Sequence, residues 1–408
     1  MNTKTLIVIG GGAAGFFCAI NAARYNKNLK IIIVEKTNKL LSKVKVSGGG
    51  RCNVTHDCYE INELIKHYPR GNNFLKKAFH WFNTTHTLEW FKAEGIELKK
   101  EEDGRMFPKT NSSQTIIDCL LHLANYYNIE ILLSSDVIKI NKLNDLFTLQ
   151  LANNKVLNCN FLCIATGGYS KALQFKWLED IGHTIEKPVP SLFTFNIPNN
   201  TITTLMGISV EYATIKIIGT KFQYSGPLLI THWGISGPAV LKLSAFAAQE
   251  LNLKNYQFKI QINWLKDWTE QSLREDWNSF REQYSSNKIY NKNPFQLPNR
   301  LWQFILQQSS IKEDAQWANL LSKQQNCLIK NLTAMDLEVN GKTTFKEEFV
   351  TCGGIKLNEI DVNTMQSKII PHLFFAGEVL NVDGITGGFN FQNAWTTGFI
   401  AAKGIAES

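Results

Sequence analysis

An α/β fold carrying a β-rich insertion and a small helical part is what the sequence predicts, and three observations predict it. A β-branched run over 5–9 leads straight into Gly10-Gly11-Gly12-Ala13-Ala14-Gly15 and then into small and apolar residues at helical spacing. A second apolar run over 29–34 ends in Glu35, twenty residues beyond Gly15. A strand-and-glycine pattern then returns towards the C-terminus, after a long stretch of different composition.

The first pattern reads as strand, tight turn and helix, and one βαβ unit fits within about 35 residues. Residues 39–55 are rich in Gly, Ser, Lys and Arg around Ser47-Gly48-Gly49-Gly50-Arg51-Cys52-Asn53, which predicts a loop with a task. Helices are expected over 74–94 and 112–127, the second opening from a serine-rich cap. Strands follow over 129–133 and 136–140, then a hairpin and a buried strand over 146–151 and 156–164. Pro188 and Pro190 punctuate the entry into alternating segments 194–197, 209–218 and 257–262, whereas 264–333 reads as helical. Trp268, Trp277, Trp302 and Trp317 lie on apolar faces there and belong in the core rather than on a cofactor. After Lys346 the first pattern resumes. The first domain is therefore discontinuous, 1–188 with 345–408, around a β-rich domain over 189–263 and a small helical domain over 264–344.

A length of 408 residues exceeds one ordinary core, and 44% hydrophobic with 19% charged residues is a globular composition. Glycines at 10, 11, 12 and 15 interrupt the apolar stretch 5–23, which argues against a signal peptide. No run reaches the roughly 18 to 20 apolar residues of a membrane span, so a cytoplasmic protein without membrane contact is expected. The eight cysteines are scattered and are read as reduced, packed thiols; their spacing lacks the paired pattern of a zinc site, so no metal is expected. The net charge of +8 is uneven: the stretch 36–77, bounded by Lys36 and Lys77, holds nine Lys or Arg against three acids. Neutralised cofactor phosphate with ordinary surface explains this, as does an acidic or nucleic-acid substrate. Nothing in the sequence selects an oligomeric state.

Gly10 allows the tight turn, Gly12 lets backbone approach a pyrophosphate, and Gly15 lets helix and strand pack closely. The helix N-terminus faces the phosphates, and Glu35 is placed to accept from a ribose diol. NAD and FAD both suit this fingerprint. Ala165-Thr166-Gly167-Gly168 after the strand ending at Ile164, Ala376-Gly377-Glu378, and Asp383-Gly384-Ile385-Thr386-Gly387-Gly388-Phe389-Asn390-Phe391-Gln392 before a small-residue helix decide for FAD. A second helix N-terminus suits a flavin's N1 and C2 carbonyl, where negative charge develops on reduction. The fold class is thus a two-dinucleotide-binding-domain flavoprotein with a Rossmann-like FAD domain. A second G-x-G-x-x-G is absent, so NAD(P)H is expected only as a transient electron donor.

These motifs, with Gly104-Arg105-Met106-Phe107-Pro108, Thr231-His232-Trp233-Gly234-Ile235-Ser236-Gly237-Pro238 and 350–355, make the chain resemble the BaiN/YhiN-like family of FAD-dependent oxidoreductases, some of whose members are labelled aminoacetone-oxidase-like. The resemblance implies a discontinuous FAD domain, a β-rich insertion and a helical domain over the cleft. It puts Gly10, Gly12, Ala13, Ala14, Gly15, Glu35 and Lys36 around adenosine and pyrophosphate, and Ser47, Gly49, Arg51 and Asn53 along the flavin-facing loop. Thr166 and Gly167 would cover the adenine side, Gly377, Glu378, Gly388, Phe389 and Asn390 would surround the ribityl chain and isoalloxazine, and Val137 and Ala165 complete the set.

His232 either donates a proton or satisfies a turn, and it is the catalytic candidate. Ser236 lacks a nucleophile-elbow context, and no CxxC suggests a disulfide reductase. Cys52 and Cys352 are proton donors or small packed residues. The resemblance implies reduction of a double bond conjugated to a carbonyl, including dihydrouridine formation in ribosomal RNA, or oxygen-dependent oxidation of small amines. The basic stretch favours RNA. The non-enzymatic alternative is a flavin-binding RNA assembly factor.

Overall fold

The opening β-branched run forms β1 (Thr5–Ile9) of a five-stranded sheet in the computed structural model, which describes residues 3–344 and 350–408. After it come α1 (Ala13–Tyr25) and β2 (Lys30–Val34), then β3 (Glu130–Leu132), β4 (Phe161–Ile164), β5 (Leu373–Phe375) and α2 (Phe389–Ala406). The strand order is β5-β4-β1-β2-β3, every pair parallel. Leu6, Ile7 and Val8 are wholly buried. That burial is why the run is continuously apolar instead of alternating.

Two compact units make up the chain, Met1–Pro190 with Lys346–Ser408, and Ser191–Phe345. The junction expected at 344/345 touches residue 345, which lies outside the described residues. Beside its parallel sheet the first unit carries an antiparallel sheet of Val137–Leu143, Leu146–Leu151 and Val156–Cys159. A smaller one joins Thr55–His56, Arg105–Pro108 and Leu98–Lys100.

Helices α1 and α2 cross at Gly398, where a Cβ would stand 2.8 Å from the Ala14 carbonyl oxygen. Gly398→Leu is therefore expected to destabilise the first unit by about 1–3 kcal/mol, the usual cost of overpacking, read as a lowered urea midpoint.

Two local readings change. Residues 74–94 form two helices, Asn72–Ala78 and Thr84–Ala93, instead of one. Asn83 makes the break: its side chain accepts from the Thr85 and His86 amides while His86 Nδ1 accepts from its own N–H, a reciprocal cap that starts a new helix. Within the expected loop 39–55, residues Ser42–Gly50 begin as a helix that breaks at Ser47 (ψ 147°), with Gly48 and Gly49 left-handed.

The second unit is a seven-stranded antiparallel sheet in the order Met335–Asn340, Gln257–Asn263, Ser209–Ile217, Gln223–Thr231, Gly234–Ser236, Thr194–Asn196, Lys342–Thr343. Strand residues such as Ile215 and Ile260 share one buried cluster with Trp277, Trp302 and Trp317 from the helical segment. The segments expected as separate β-rich and helical domains thus meet in a common core. Trp268 packs against that cluster half-buried. All eight cysteines are free thiols. Among the described residues no helix is long and apolar enough to cross a membrane, and no group of side chains could hold a metal ion.

Candidate cofactor site

Ligands of open parallel sheets bind beyond the carboxyl ends of the strands. At that edge Gly10 N donates to Val34 O and Ala165 N to Ile9 O, both at 2.8 Å, and Ala376 N to Ile164 O at 3.0 Å. The edge therefore collects Gly10 to Gly15, Glu35, the Ala165-Thr166-Gly167 turn and Gly377-Glu378. Gly10 has φ +114°, and a side chain there would strike the Ala165 carbonyl; one at Gly15 would strike the Gly10 carbonyl. At Gly12 a Cβ would meet no heavy atom within 4 Å. The first turn of α1, with Ala13 and Ala14, has no side-chain cap, so its amides open onto that space.

Glu35 is anchored through both oxygens: Oε2 accepts from Gly11 N at 2.8 Å, and Oε1 accepts from Thr37 N and Oγ1 at 2.9 Å. A carboxylate has about four acceptor sites, so capacity remains for a diol. Lys36 turns instead to Asp136 at 2.9 Å, and that hydrogen bond holds its pKa above the usual lysine value. Val137 follows, buried at the start of its strand beside the segment where Ser135 N donates to Glu35 O.

Glu378 ties three segments together. Its Oε2 accepts from Lys43 Nζ at 2.5 Å and its Oε1 from Thr351 N at 3.1 Å, while a Cβ at Gly168 would stand 3.2 Å from its carboxyl carbon. Gly377 N donates to Thr397 Oγ1 at 2.8 Å, which pins that turn to α2.

The turn into α2 is held from outside by the segment 53–70. With its Nδ2 donating to Thr55 O, Asn53 accepts from Gly388 N through Oδ1 at 2.9 Å. His56 Nδ1 lies 3.0 Å from Gly387 O, Ile385 N donates to His67 O at 2.9 Å, and Tyr68 Oη donates to Phe389 O at 2.7 Å. Arg70 pairs with buried Asp383 through two nitrogens. Within the turn the Asn390 amide spans Gly384 N and O at 2.8 and 2.9 Å. Lys43, His56, His67 and Arg70 escaped the sequence reading as site residues, because their partners lie more than three hundred positions away. Thr351, 27 positions before Glu378, sits in the 350–355 motif, which does not single it out.

On the loop 47–53 Ser47 Oγ donates to Val44 O at 3.0 Å and Gly49 faces open space. Arg51 bonds Glu101 at 2.5 Å and lies over the Phe107 ring at 4.0 Å. Cys52 is wholly buried and burial pushes its thiol up to about 12, which fits packing and not proton donation near neutrality. His232 belongs to the second unit, exposed between Thr231 and Gly234, with its ring edge-on to Trp233 at 4.2 Å. The basic surplus of 36–77 is largely engaged: Lys36, Lys43, Arg51, Lys66 and Arg70 each pair with a carboxylate, five of the nine. Lys39, Lys45, Lys76 and Lys77 are exposed.

A second constellation looks catalytic and is not. His183 Nδ1 lies 2.9 Å from Glu359 Oε2 and Nε2 lies 3.0 Å from Ser367 Oγ, but that hydroxyl also accepts from Ile369 N and Ile370 N, and both side chains are buried. Burial lowers the imidazole pKa in spite of Glu359. The unfolded chain therefore binds this proton more tightly than the folded one. Its contribution to stability is complete above the ordinary value of about 6.5 and is lost as pH falls from there through the lowered folded value. The expected thermal midpoint is flat above that pH and declines below it, less steeply in His183→Asn.

A Rossmann-type cradle with a second helix N-terminus beside it defines the class: a flavin-dependent oxidoreductase. The chain belongs to the family described as HI0933-like protein Rossmann domain, which matches residues 4–404 and bears out the BaiN/YhiN-like resemblance. It is similar to the ribosomal RNA dihydrouridine synthase of Escherichia coli (strain K12), 30% identical over 98% of this chain and 97% of that protein. It is also similar to the 3-dehydro-bile acid delta(4,6)-reductase of Clostridium scindens, 25% identical over 98% of each. In fold it is similar to the 3-ketosteroid-delta4-(5alpha)-dehydrogenase of Rhodococcus jostii RHA1, with a TM-score of 0.53, 11% identity, and coverage of 99% of this chain and 97% of that one.

Proposed function

We propose that the first unit holds FAD and that the enzyme reduces a carbon–carbon double bond conjugated to a carbonyl, the 5,6 bond of uridine in ribosomal RNA being the substrate. The observation that carries the cofactor assignment is the open space at Gly12 in front of an uncapped helix, with Glu35 anchored beside it. The amides of Ala13, Ala14 and Gly15 would meet the pyrophosphate and Glu35 the ribose. Val137, Ala165, Thr166 and Gly167 would lie on the adenine side, with Lys36 at its rim. Glu378 and Gly377 would meet the ribityl chain, while Ser47, Gly49, Arg51, Asn53, Gly388, Phe389 and Asn390 would frame the ring. Bound flavin supplies hydride transfer. The chain's own part is to orient substrate and cofactor, exclude water and provide a proton.

Two relatives with different substrates support the substrate class, since a uracil ring and a dienone both present a double bond conjugated to a carbonyl. A cytoplasmic location goes with a ribosomal substrate. Within 36–77 four exposed lysines, Lys39, Lys45, Lys76 and Lys77, remain for phosphate contact, so that stretch should add only a shallow part of the fall of RNA affinity with salt. NAD(P)H is the proposed transient donor. The test is anaerobic: reduced enzyme is mixed with uridine-containing ribosomal RNA, and oxidised enzyme with small amines. RNA-dependent reoxidation supports the reading; bleaching by an amine replaces it with an oxidase, and no turnover of a bound flavin replaces it with an assembly factor.

A further inference from the structure

The second unit carries basic residues that its own carboxylates do not neutralise. From Gln283 to Lys312 the sequence runs for thirty residues with Lys288, Lys292, Arg300 and Lys312 and no Asp or Glu, whereas the thirteen residues before it, 270–282, hold four acids. All four basic side chains are exposed. Carboxylates of this unit that form ion pairs meet other cations, such as Lys259 at Glu338 and Lys330 at Asp336. Among the described residues the four basic groups of 283–312 pair with no carboxylate. Resting on the proposed function, we infer that the segment 284–292 docks an unpaired stretch of RNA, with phosphates on Lys288 and Lys292 and a base on the Tyr284 ring.

Anchoring of the main chain is what presents these groups. Ile289 is buried, its N donates to Ala315 O at 2.9 Å, and its O accepts from Trp302 Nε1 at 2.9 Å, while Trp317 Nε1 donates to Lys292 O at 3.3 Å. The backbone is thereby pinned to the tryptophan core, so little order has to be gained on binding. Lys292 N donates to Lys288 O at 3.2 Å and closes one helical turn, which sets the two lysines on the same side of it. Lys292 Nζ lies 5.0 Å from the centroid of the half-buried Tyr284 ring, which packs 6.0 Å from Trp317. Cation and ring thus share one place, the combination that single-strand binders use: charge for the backbone and an aromatic face for a base. Asn287 and Asn291 are exposed on the same segment, and their amides can both donate to and accept from base edges. Burial and then the charge of Glu313 raise the Tyr290 phenol pKa, so Glu313 bounds the surface on that side and confines the strand to 284–292. The proposed reaction itself calls for an unpaired strand, because a uracil within a duplex is stacked and paired, whereas an unpaired one can be splayed out.

The FAD-loaded wild type, the double variant Lys288→Ala with Lys292→Ala, Tyr284→Leu and Tyr284→Phe are compared in two measurements: binding of a labelled, uridine-containing single-stranded RNA across a salt series, and anaerobic reoxidation of reduced flavin across RNA concentrations. Loss of the two lysines should lower the slope of log affinity against log salt by about 1.4, at about 0.7 for each phosphate contact. Tyr284→Leu should weaken binding about tenfold with the slope unchanged, and Tyr284→Phe, which keeps the ring, should bind like the wild type. In reoxidation the lysine variant should need more RNA for half its limiting rate while that rate stays the same. Wild-type affinity and slope in the lysine variant overturn the inference, as do duplex RNA of the same sequence bound as tightly as the single strand, polyglutamate displacing the RNA as well as an unlabelled strand does, or a wild type that binds no RNA. Failure of the proposed function reads differently: RNA then binds through these residues but does not reoxidise the flavin. Reoxidation that is identical in wild type and lysine variant at every RNA concentration keeps the function and removes the docking site.

Discussion

Gly12→Val is expected to give a folded protein that no longer retains flavin. Position 12 has φ −96°, which any residue adopts, and its Cβ direction is empty, so the apo-protein tolerates the substitution. As the N-cap of α1 it contributes no side-chain bond, and exchanging glycine for valine there should cost below about 1 kcal/mol. The empty space is the one the pyrophosphate would fill, and two methyl groups would keep it from the α1 amides. Affinity should fall at least about 100-fold, or about 2.8 kcal/mol. Gly15→Val is the contrast: its side chain would drive into the Gly10 carbonyl, so it should lose stability before affinity is measurable. Urea midpoints of the apo-forms and flavin titration of each variant check the pair. A Gly12→Val protein that binds flavin like the wild type would remove the cradle from the cofactor assignment.

Asp383→Ala should be the most destabilising single change in the turn before α2. Asp383 is wholly buried and Arg70 nearly so, and the guanidinium meets both carboxylate oxygens. Removing the carboxylate leaves a buried positive charge beside a turn that carries left-handed Gly387 and Gly388, and such losses cost about 3–5 kcal/mol. Asp383→Asn, which keeps the shape and one acceptor, should cost less. Calorimetric unfolding of the three proteins orders them wild type, Asn, Ala; equal midpoints would show that the other ties from 53–70 hold the turn unaided.

What could be read from the sequence was what neighbours in sequence determine. Gly10, Gly12, Gly15 and Glu35 act within one βαβ unit, so their spacing carries their geometry. The parallel sheet was legible for the same reason: Ile7, Ile32 and Leu162 sit in runs that are apolar without alternation. The break at Asn83 was written locally but is easily overrun by the helical periodicity on both sides. The grip of residues 53–70 on the turn 383–390 could not be read, since it joins segments more than three hundred positions apart. For the same reason His56, a lone histidine beside a glycine-rich loop, gave no signal, whereas His232 stood out because glycines and a proline surround it. Charge misled in a similar way: nine basic residues look like a patch until the carboxylates that meet five of them are placed in space.

The central claim, that the unit built on the parallel sheet is an FAD holder, is tested most directly by the visible spectrum and flavin content of the purified wild type, with FAD titrated into any apo-fraction. The account predicts the bands of oxidised flavin and close to one FAD released per chain on denaturation. A colourless protein that takes up no FAD on titration would contradict it.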